Sequence, residues 1–145
     1  MSATRVFVAR LAGCSVFDPA GDRVGRVRDV LVVYRSSGSP RVVGLIVEIP
    51  GRRRVFVSIG RVTSIGAGQI ITTGLINLRR FEQRGGEVRV IAELLGRKVS
   101  LRDSSGDATI EDVAIDVTRP IDTNTCLRPG ISTTSPTTRG GSSLR

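Results

Sequence analysis

The side chains that enzymes most often use for proton transfer and nucleophilic attack are scarce in this sequence. Histidine, the commonest general base and a frequent metal ligand, is absent. Cys14 and Cys126 lie far apart and neither has a nearby cysteine, so neither a zinc site nor a disulfide framework is indicated. Only Lys98 or a carboxylate remains to activate Cys14 or a serine, and no spacing recommends either. The sequence therefore predicts no catalytic residue and no enzyme.

Three aspartates near the N-terminus have side chains that suit Mg²⁺. Asp18 is better explained as a turn former, Asp22 as a solvated turn residue and Asp29 as the polar residue at a strand bend. The segment Gly66–Gln69 resembles a phosphate-binding loop only superficially, because it lacks a Lys-Ser/Thr pair and a following helix. We therefore expect neither a metal site nor a cofactor.

Basic residues are the strongest chemical feature of the chain. The formal net charge is +9 at pH 7, and all but one of the 22 basic residues are arginine. The densest cluster is Arg52, Arg53 and Arg54, at the mouth of a predicted hairpin. These three are weak candidates for contact with an anion or an acidic partner, although solubility and protection of a sheet edge explain them as well. No exposed aromatic platform accompanies them, as single-stranded nucleic-acid binding would require.

The elements that carry these residues are predicted to be strands. Asp18, Pro19 and Gly21 occupy the positions that a type I turn favours, and Gly25 offers a place for a bulge in the strand that follows. The next two strands alternate, with Val43, Leu45, Val47 and Ile49 sharing one face of the first, and Val55, Val57 and Ile59 one face of the second. Evenly spaced aliphatic strands predict an all-β fold, a small antiparallel barrel or sandwich.

The second half of the chain repeats the first in abbreviated form. Residues 8–16 and 27–32 match residues 91–99 and 110–115 at a common offset of 83, which places Asp29 on Asp112. Between the copies, residues 77–90 form a connector in which Asn77 is a candidate N-cap of a short helix. Because a lone hairpin is marginal in water, the incomplete copy is expected to pair with the first copy, bind a partner chain or fray.

The composition changes after Asp116. Residues 117–145 are rich in Thr, Ser, Pro, Gly and Arg, and they lack strand alternation. This composition predicts a disordered tail. Because the tail is so unlike the preceding sequence, we also interpret the chain as a truncated or frame-shifted gene product.

The segment "LAGCSVFDPAGDRVGRVRDVLVV" resembles the opening of a PRC-barrel domain. The resemblance rests on Gly13, the Asp18-x-x-Gly21 turn, Val24-Gly25-Arg26-Val27 and Asp29 before an apolar strand, and it extends to about Gly74. It implies a mostly antiparallel barrel that serves as a non-enzymatic interaction module. The duplicated arrangement is most similar to the paired barrels that precede MgtE-type and CBS domains in actinobacterial proteins.

This resemblance divides the chain into a first PRC-barrel-like domain at 5–76, the connector at 77–90, a truncated second unit at 91–116 and the tail. It implies that this chain is the N-terminal portion of an MgtE-like, magnesium-linked regulatory protein and has no transport capacity of its own. The expected partner is another protein or a downstream domain of a longer homologue, with a homodimer through the incomplete second barrel as a further expectation. The alternative is an RNA- or ribosome-associated module similar to the PRC domain of RimM. The lack of a signal peptide and of a long apolar run predicts a cytoplasmic location.

Overall fold

A computed structural model describes residues 4–66, 68–74, 76–100, 106–117, 126–128 and 135–136. Most of this part of the chain is β-structure, so the predicted all-β fold is confirmed. Three short helical segments interrupt the strands: the α-helix α1 (Val8–Leu11), a 3₁₀ turn (Ile59–Arg61) and a π-helical turn (Val90–Leu94). The strands are β1 (Thr4–Phe7), β2 (Ser15–Phe17), β3 (Arg23–Val33), β4 (Arg41–Ile49), β5 (Arg53–Ser58), β6 (Val62–Ile65), β7 (Gln69–Thr72), β8 (Glu87–Arg89), β9 (Lys98–Ser100), β10 (Asp107–Thr109), β11 (Ala114–Val117), β12 (Cys126–Arg128) and β13 (Ser135–Pro136).

The long antiparallel hairpin of β3 and β4 is the centre of the larger sheet. One edge of β3 pairs with β2 near its start and with β8 near its end. Strand β4 pairs with β5 along most of its length and with β12 at Arg41. Strand β2 continues through a parallel pairing to β7, which pairs with β6. A separate small sheet contains β9, β10 and β13.

Alternation along these strands fills one aliphatic core. Leu45 and Val47 are buried in it, as are all three apolar residues predicted to share a face in and after β5. The prediction for Val43 is wrong, because Val42 occupies the core position instead. The ladder skips a residue here, since Leu31 pairs with Gly44 while Val32 pairs with Val42. This irregularity inverts the alternation at the start of β4.

The two sequence copies exchange their first strands. Strand β1 of the first copy pairs with β11 of the second, and β8 of the second copy pairs with β3 of the first. Residues from both copies belong to the same core cluster, including Val90, Leu94, Val113 and Ile115 from the second. The incomplete copy is therefore stabilised by the complete one.

Equivalent backbone hydrogen bonds recur in both copies. The Gly13 N–H donates to Val27 O over 2.8 Å, and the Gly96 N–H donates to Ile110 O over 2.7 Å. The reverse bonds, Val27 N–H to Cys14 O and Ile110 N–H to Arg97 O, both measure 2.9 Å. All of these residues are related by the offset of 83, so the repeat in the sequence corresponds to a repeat in backbone geometry.

The connector predicted at 77–90 contains no helix before Val90, where the π-helical turn begins, which corrects the expectation of a short helix that starts at Asn77. The Asn77 side chain accepts the Arg79 N–H, as an N-cap would, but the chain then extends along the edge of β5. There Arg80 bridges to Val55, and the Phe81 N–H donates to Arg54 O over 2.7 Å. Hydrogen bonds to a sheet edge replace those of a helical turn.

Within the tail that the sequence predicts to be disordered, the structure describes two short strands, β12 and β13. Strand β12 pairs with β11 and β4, and β13 pairs with β10. The prediction for the remainder of the tail lies outside the described residues. Across the helices that the structure does describe, none has the length and apolar character needed to cross a membrane.

Candidate functional site

The predicted turn at Asp18 is held by its own side chain. The Asp18 carboxylate accepts the Ala20 N–H at 3.0 Å and the Asp22 N–H at 2.9 Å, and the Gly21 N–H closes the turn onto Asp18 O. Pro19 occupies the second position, where its fixed φ suits a type I turn. Because Asp18 is committed to backbone donors, it is a structural residue in this geometry.

Gly25 lies beside the predicted bulge. Val16 pairs with Gly25 while Phe17 pairs with Arg23, which leaves Val24 as the extra residue. A Cβ atom at Gly25 would overlap the carbonyl oxygen of Glu48 in β4. Glycine is needed there so that β3 and β4 can approach each other closely.

Asp29 is one of the two buried polar residues of the described chain, with 5% relative exposure. Its carboxylate accepts three backbone N–H groups: Val30 at 2.7 Å, Ile91 at 2.7 Å and Ala92 at 3.0 Å. Ile91 and Ala92 lie in the π-helical turn of the second copy. Asp29 therefore caps that turn, a role that reading it as a strand-bend residue missed.

The three arginines predicted as candidates separate in the structure. Arg53 donates to Leu78 O at 3.4 Å, while Arg52 and Arg54 border a common cavity. Arg53 and Arg54 are neighbours in β5 and therefore point to opposite sides of the strand, whereas Arg52 lies in the turn before it. Arg52 also has a φ of 60°, a left-handed conformation that non-glycine residues rarely adopt.

The cavity that Arg52 and Arg54 border has a volume of about 220 Å³. Arg80 from the connector and Arg89 from β8 complete a set of four guanidinium groups around it. We call this space the arginine cavity. Its full lining is Asp29, Ile46, Arg52, Arg54, Arg80, Phe81 and Arg89.

Carboxylates already compensate two of the four arginines. Arg54 lies 3.8 Å from a Glu48 oxygen, and Arg89 lies 3.0 Å from a Glu93 oxygen. Within the described part of the chain, Arg52 and Arg80 form no ion pair. The cavity wall therefore contains two uncompensated cations and one carboxylate, Asp29, whose oxygens are occupied by N–H donors.

The neighbouring charges also act on the glutamates. A hydrogen bond from Arg28, with the positive charges of Arg28, Arg54 and Arg26, lowers the pKa of Glu48. Hydrogen bonds from Gln83 and Arg89 lower the pKa of Glu93. Both side chains are held as carboxylates by the arginine-rich surroundings.

A second cavity of about 570 Å³ adjoins the first and shares Arg80 and Phe81 with it. Its floor is the face of the β3–β4–β5 sheet that points away from the core, where Leu31 is buried outside the core cluster. The rings of Phe56 and Phe81 stack above this floor with centroids 6.4 Å apart. We call this space the connector groove. Its full lining is Leu31, Val43, Phe56, Asn77, Arg79, Arg80, Phe81, Glu82, Gln83, Arg84 and Glu87.

Sequence reasoning missed Arg80 and Arg89 as members of the arginine cavity. They lie 26 or more residues beyond Arg54, and they reach it only because the connector and β8 pair with the first copy. The available signal was the repeat itself. If an exchange of first strands had been inferred from the repeat, it would have placed β8, which contains Arg89, beside β3.

The remaining reactive candidates are engaged in structural contacts. The Cys14 thiol is buried and lies 3.2 Å from Arg10 O, to which it donates, and burial raises its pKa. The side chain of Cys126 lies outside the described residues. A search of the described residues finds no cluster of three or more metal-ligating side chains.

Two protein-family models match parts of the chain. The family model of an Actinomycetes SH3 domain matches residues 88–124, which include the whole of the predicted second unit. No curated protein matches the chain. The family model of the PRC-barrel domain matches residues 3–75, half of the chain. The chain thus belongs to the PRC-barrel domain family.

Proposed function

We propose that this chain is a non-enzymatic interaction module that docks an acidic segment of another protein, or of a further domain, along the connector groove. The groove combines an apolar floor with three arginines, Arg79, Arg80 and Arg84, which outnumber its two glutamates, Glu82 and Glu87. It therefore offers both apolar surface for burial and a net positive charge. This juxtaposition of apolar floor and arginine rim is the observation that carries the proposal.

The surroundings of the potentially reactive side chains support a binding role rather than catalysis. The Asp29 carboxylate is saturated by three N–H donors, and the Cys14 thiol is buried with a raised pKa. Histidine is absent from the sequence. A nucleophile would therefore need an activating base that these residues do not provide.

The finer proposal is that the module forms the N-terminal portion of an MgtE-like, magnesium-linked regulatory protein in the cytoplasm. The duplicated arrangement of the sequence supports it, and the contacts of the described residues do not bear on it. Magnesium titration of the purified chain tests it. A stability or binding change that depends on Mg²⁺ at constant ionic strength is expected, and the absence of any such change contradicts the magnesium link.

The second candidate function is an RNA- or ribosome-associated module. It is favoured by the concentration of arginines around the β4–β5 hairpin, where Arg23, Arg26 and Arg52 line a further cavity of about 270 Å³. RNA binding through several phosphates weakens steeply as salt rises. Docking of an acidic segment is expected to weaken less, because burial of the apolar floor contributes to its affinity and is not screened by salt.

The test is affinity capture from cell lysate with the full chain, with and without nuclease. The variant R79E/R80E/R84E reverses the groove charges, and R10E/R23E/K98E changes the net charge by the same amount elsewhere. Docking along the groove predicts a nuclease-resistant partner that is lost only with the first variant. Equal loss with both variants, or loss after nuclease treatment, contradicts it and favours the RNA candidate.

A further inference from the structure

We propose that the arginine cavity is a binding site for a phosphate-type oxyanion. The cavity is separate from the floor of the connector groove, and the inference holds whether or not a protein docks there. Four arginine residues from three separated segments border it: Arg52, Arg54, Arg80 and Arg89. Guanidinium groups bind tetrahedral oxyanions through paired, charge-assisted N–H bonds.

The charges around the cavity leave two cations for a ligand. Arg54 shares Glu48 with Arg28, and Arg89 is paired with Glu93. Arg52 and Arg80 have no ion pair among the described residues. A dianion between Arg52 and Arg80 would compensate both.

The carboxylate of Asp29 does not exclude an anion. Its oxygens accept the N–H groups of Val30, Ile91 and Ala92, which offset its charge locally. The two arginines without an ion pair among the described residues, Arg52 and Arg80, therefore outweigh this one carboxylate in the wall. Opposite charges close together interact strongly where part of the surroundings is protein rather than water.

The size of the cavity fits a small oxyanion. A water molecule takes about 30 Å³ in the liquid, so a volume of about 220 Å³ holds a tetrahedral anion with part of its hydration shell. The apolar side chains of Ile46 and Phe81 complete the wall.

Arg52 lies in the turn between β4 and β5 and has a strained backbone conformation. Residues 50–52 link β4 to β5, and Arg52 adopts a φ of 60° directly after Gly51 at 87°. A non-glycine residue in this conformation is strained by about 1 kcal/mol or more. Glycine at position 52 would relieve the strain, yet the chain has an arginine there, which adds a cation to the cavity.

The experiment measures the melting temperature of the full chain with inorganic phosphate, sulfate or sodium chloride at matched ionic strength. Phosphate at ten times its dissociation constant is expected to raise the melting temperature by about 5 °C, because a ligand that binds only the folded state stabilises it. Sulfate is expected to act similarly and chloride not to act. An equal shift with all three salts overturns the proposal.

Matched variants locate the site. R52G keeps the left-handed backbone and removes the guanidinium group, and R80A removes the cation of the connector. Both are expected to weaken phosphate binding at least about tenfold, since each removes a charged hydrogen-bonding partner. R53A is the control, because Arg53 lies in the same hairpin but contacts Leu78 O and not the cavity. Unchanged binding in the double variant R52G/R80A, or equal loss in R53A, overturns the proposal.

Discussion

The carboxylate of Asp29 accepts a hydrogen bond of 3.0 Å from the backbone N–H of Ala92, which lies in the other copy of the repeat. The corresponding bond runs in the opposite direction, from the Ala9 N–H to Asp112 at 3.1 Å. Each copy thus caps the short helical segment of the other. This reciprocal contact joins the two copies directly after each exchanged strand, β1 and β8.

Replacing Asp29 is expected to destabilise the fold more than replacing its counterpart. Asp29→Ala leaves one buried and two partly buried N–H groups without their acceptor, at a cost of about 3 kcal/mol. Asp112→Ala is expected to cost about half as much, because Asp112 is only half-buried. Urea unfolding measures both free energies, and a larger loss in Asp112→Ala contradicts the capping role of Asp29.

The close approach of β3 and β4 predicts a penalty for a side chain at Gly25. In Gly25→Ala the new Cβ meets the Glu48 carbonyl oxygen, and moving the strands apart is expected to cost about 2 kcal/mol. Gly85→Ala is the matched control, since nothing lies within 4 Å of its Cβ position and its φ is not in the left-handed region. Its unfolding free energy is expected to change by less than about 0.5 kcal/mol. Equal effects in the two variants would rule out the steric explanation.

The single core predicts that the first copy depends on the second. Removing residues 87–145 exposes the core positions covered by Val90, Leu94, Val113 and Ile115. The shortened chain is expected to unfold at a lower urea concentration and to bind a hydrophobic dye more strongly. Urea unfolding measures the first effect, and dye fluorescence measures the second. A shortened chain as stable as the full one shows that the copies fold independently.

The lowered pKa of Glu48 leads us to expect that the folded protein loses stability at acid pH. Its pKa is lowered in the folded state, mainly by the hydrogen bond from Arg28, so the folded protein releases this proton more readily than the unfolded chain. The resulting stability is present above the unfolded value of 4.5 and is lost as the pH falls through the folded pKa. Glu48→Gln should flatten the acid limb of stability against pH. Glu82→Gln, at an exposed position, is the control, and an equal change in both variants contradicts the assignment.

The burial of Cys14 leads us to expect that its thiol is modified slowly and that the folded protein loses stability at alkaline pH. Burial raises its pKa, so the thiol stays protonated in the folded protein at pH values where the unfolded chain begins to ionise. The stability it contributes is full below the unfolded value of 9.0 and is lost as the pH rises through the folded pKa. In a Cys126→Ser background, thiol reagents should react with the native protein far more slowly than with the unfolded chain. Equal rates in the two states would show that Cys14 is accessible.

Local patterns in the sequence were enough to predict the strands and the first turn. Aliphatic alternation placed Leu45, Val47 and Val55 in the core, because residues two apart on a strand face the same side. The Asp18 turn followed from side-chain chemistry within five residues. The prediction for Val43 failed because the register of β4 shifts where it pairs with β3. The residues around Val43 carry no sign of this shift, since it depends on the partner strand.

The repeat offset related Asp29 to Asp112 in the sequence, but only the tertiary structure showed that each caps the other copy. Likewise, composition revealed an excess of arginine without showing which guanidinium groups would share a cavity. Arg52 and Arg80 meet because the connector pairs with the edge of β5. Pairing between distant strands depends on the complementarity of whole edges and faces, which no short window of sequence contains. The sequence by itself therefore determined the elements and the available chemistry, and the long-range pairing decided where that chemistry converges.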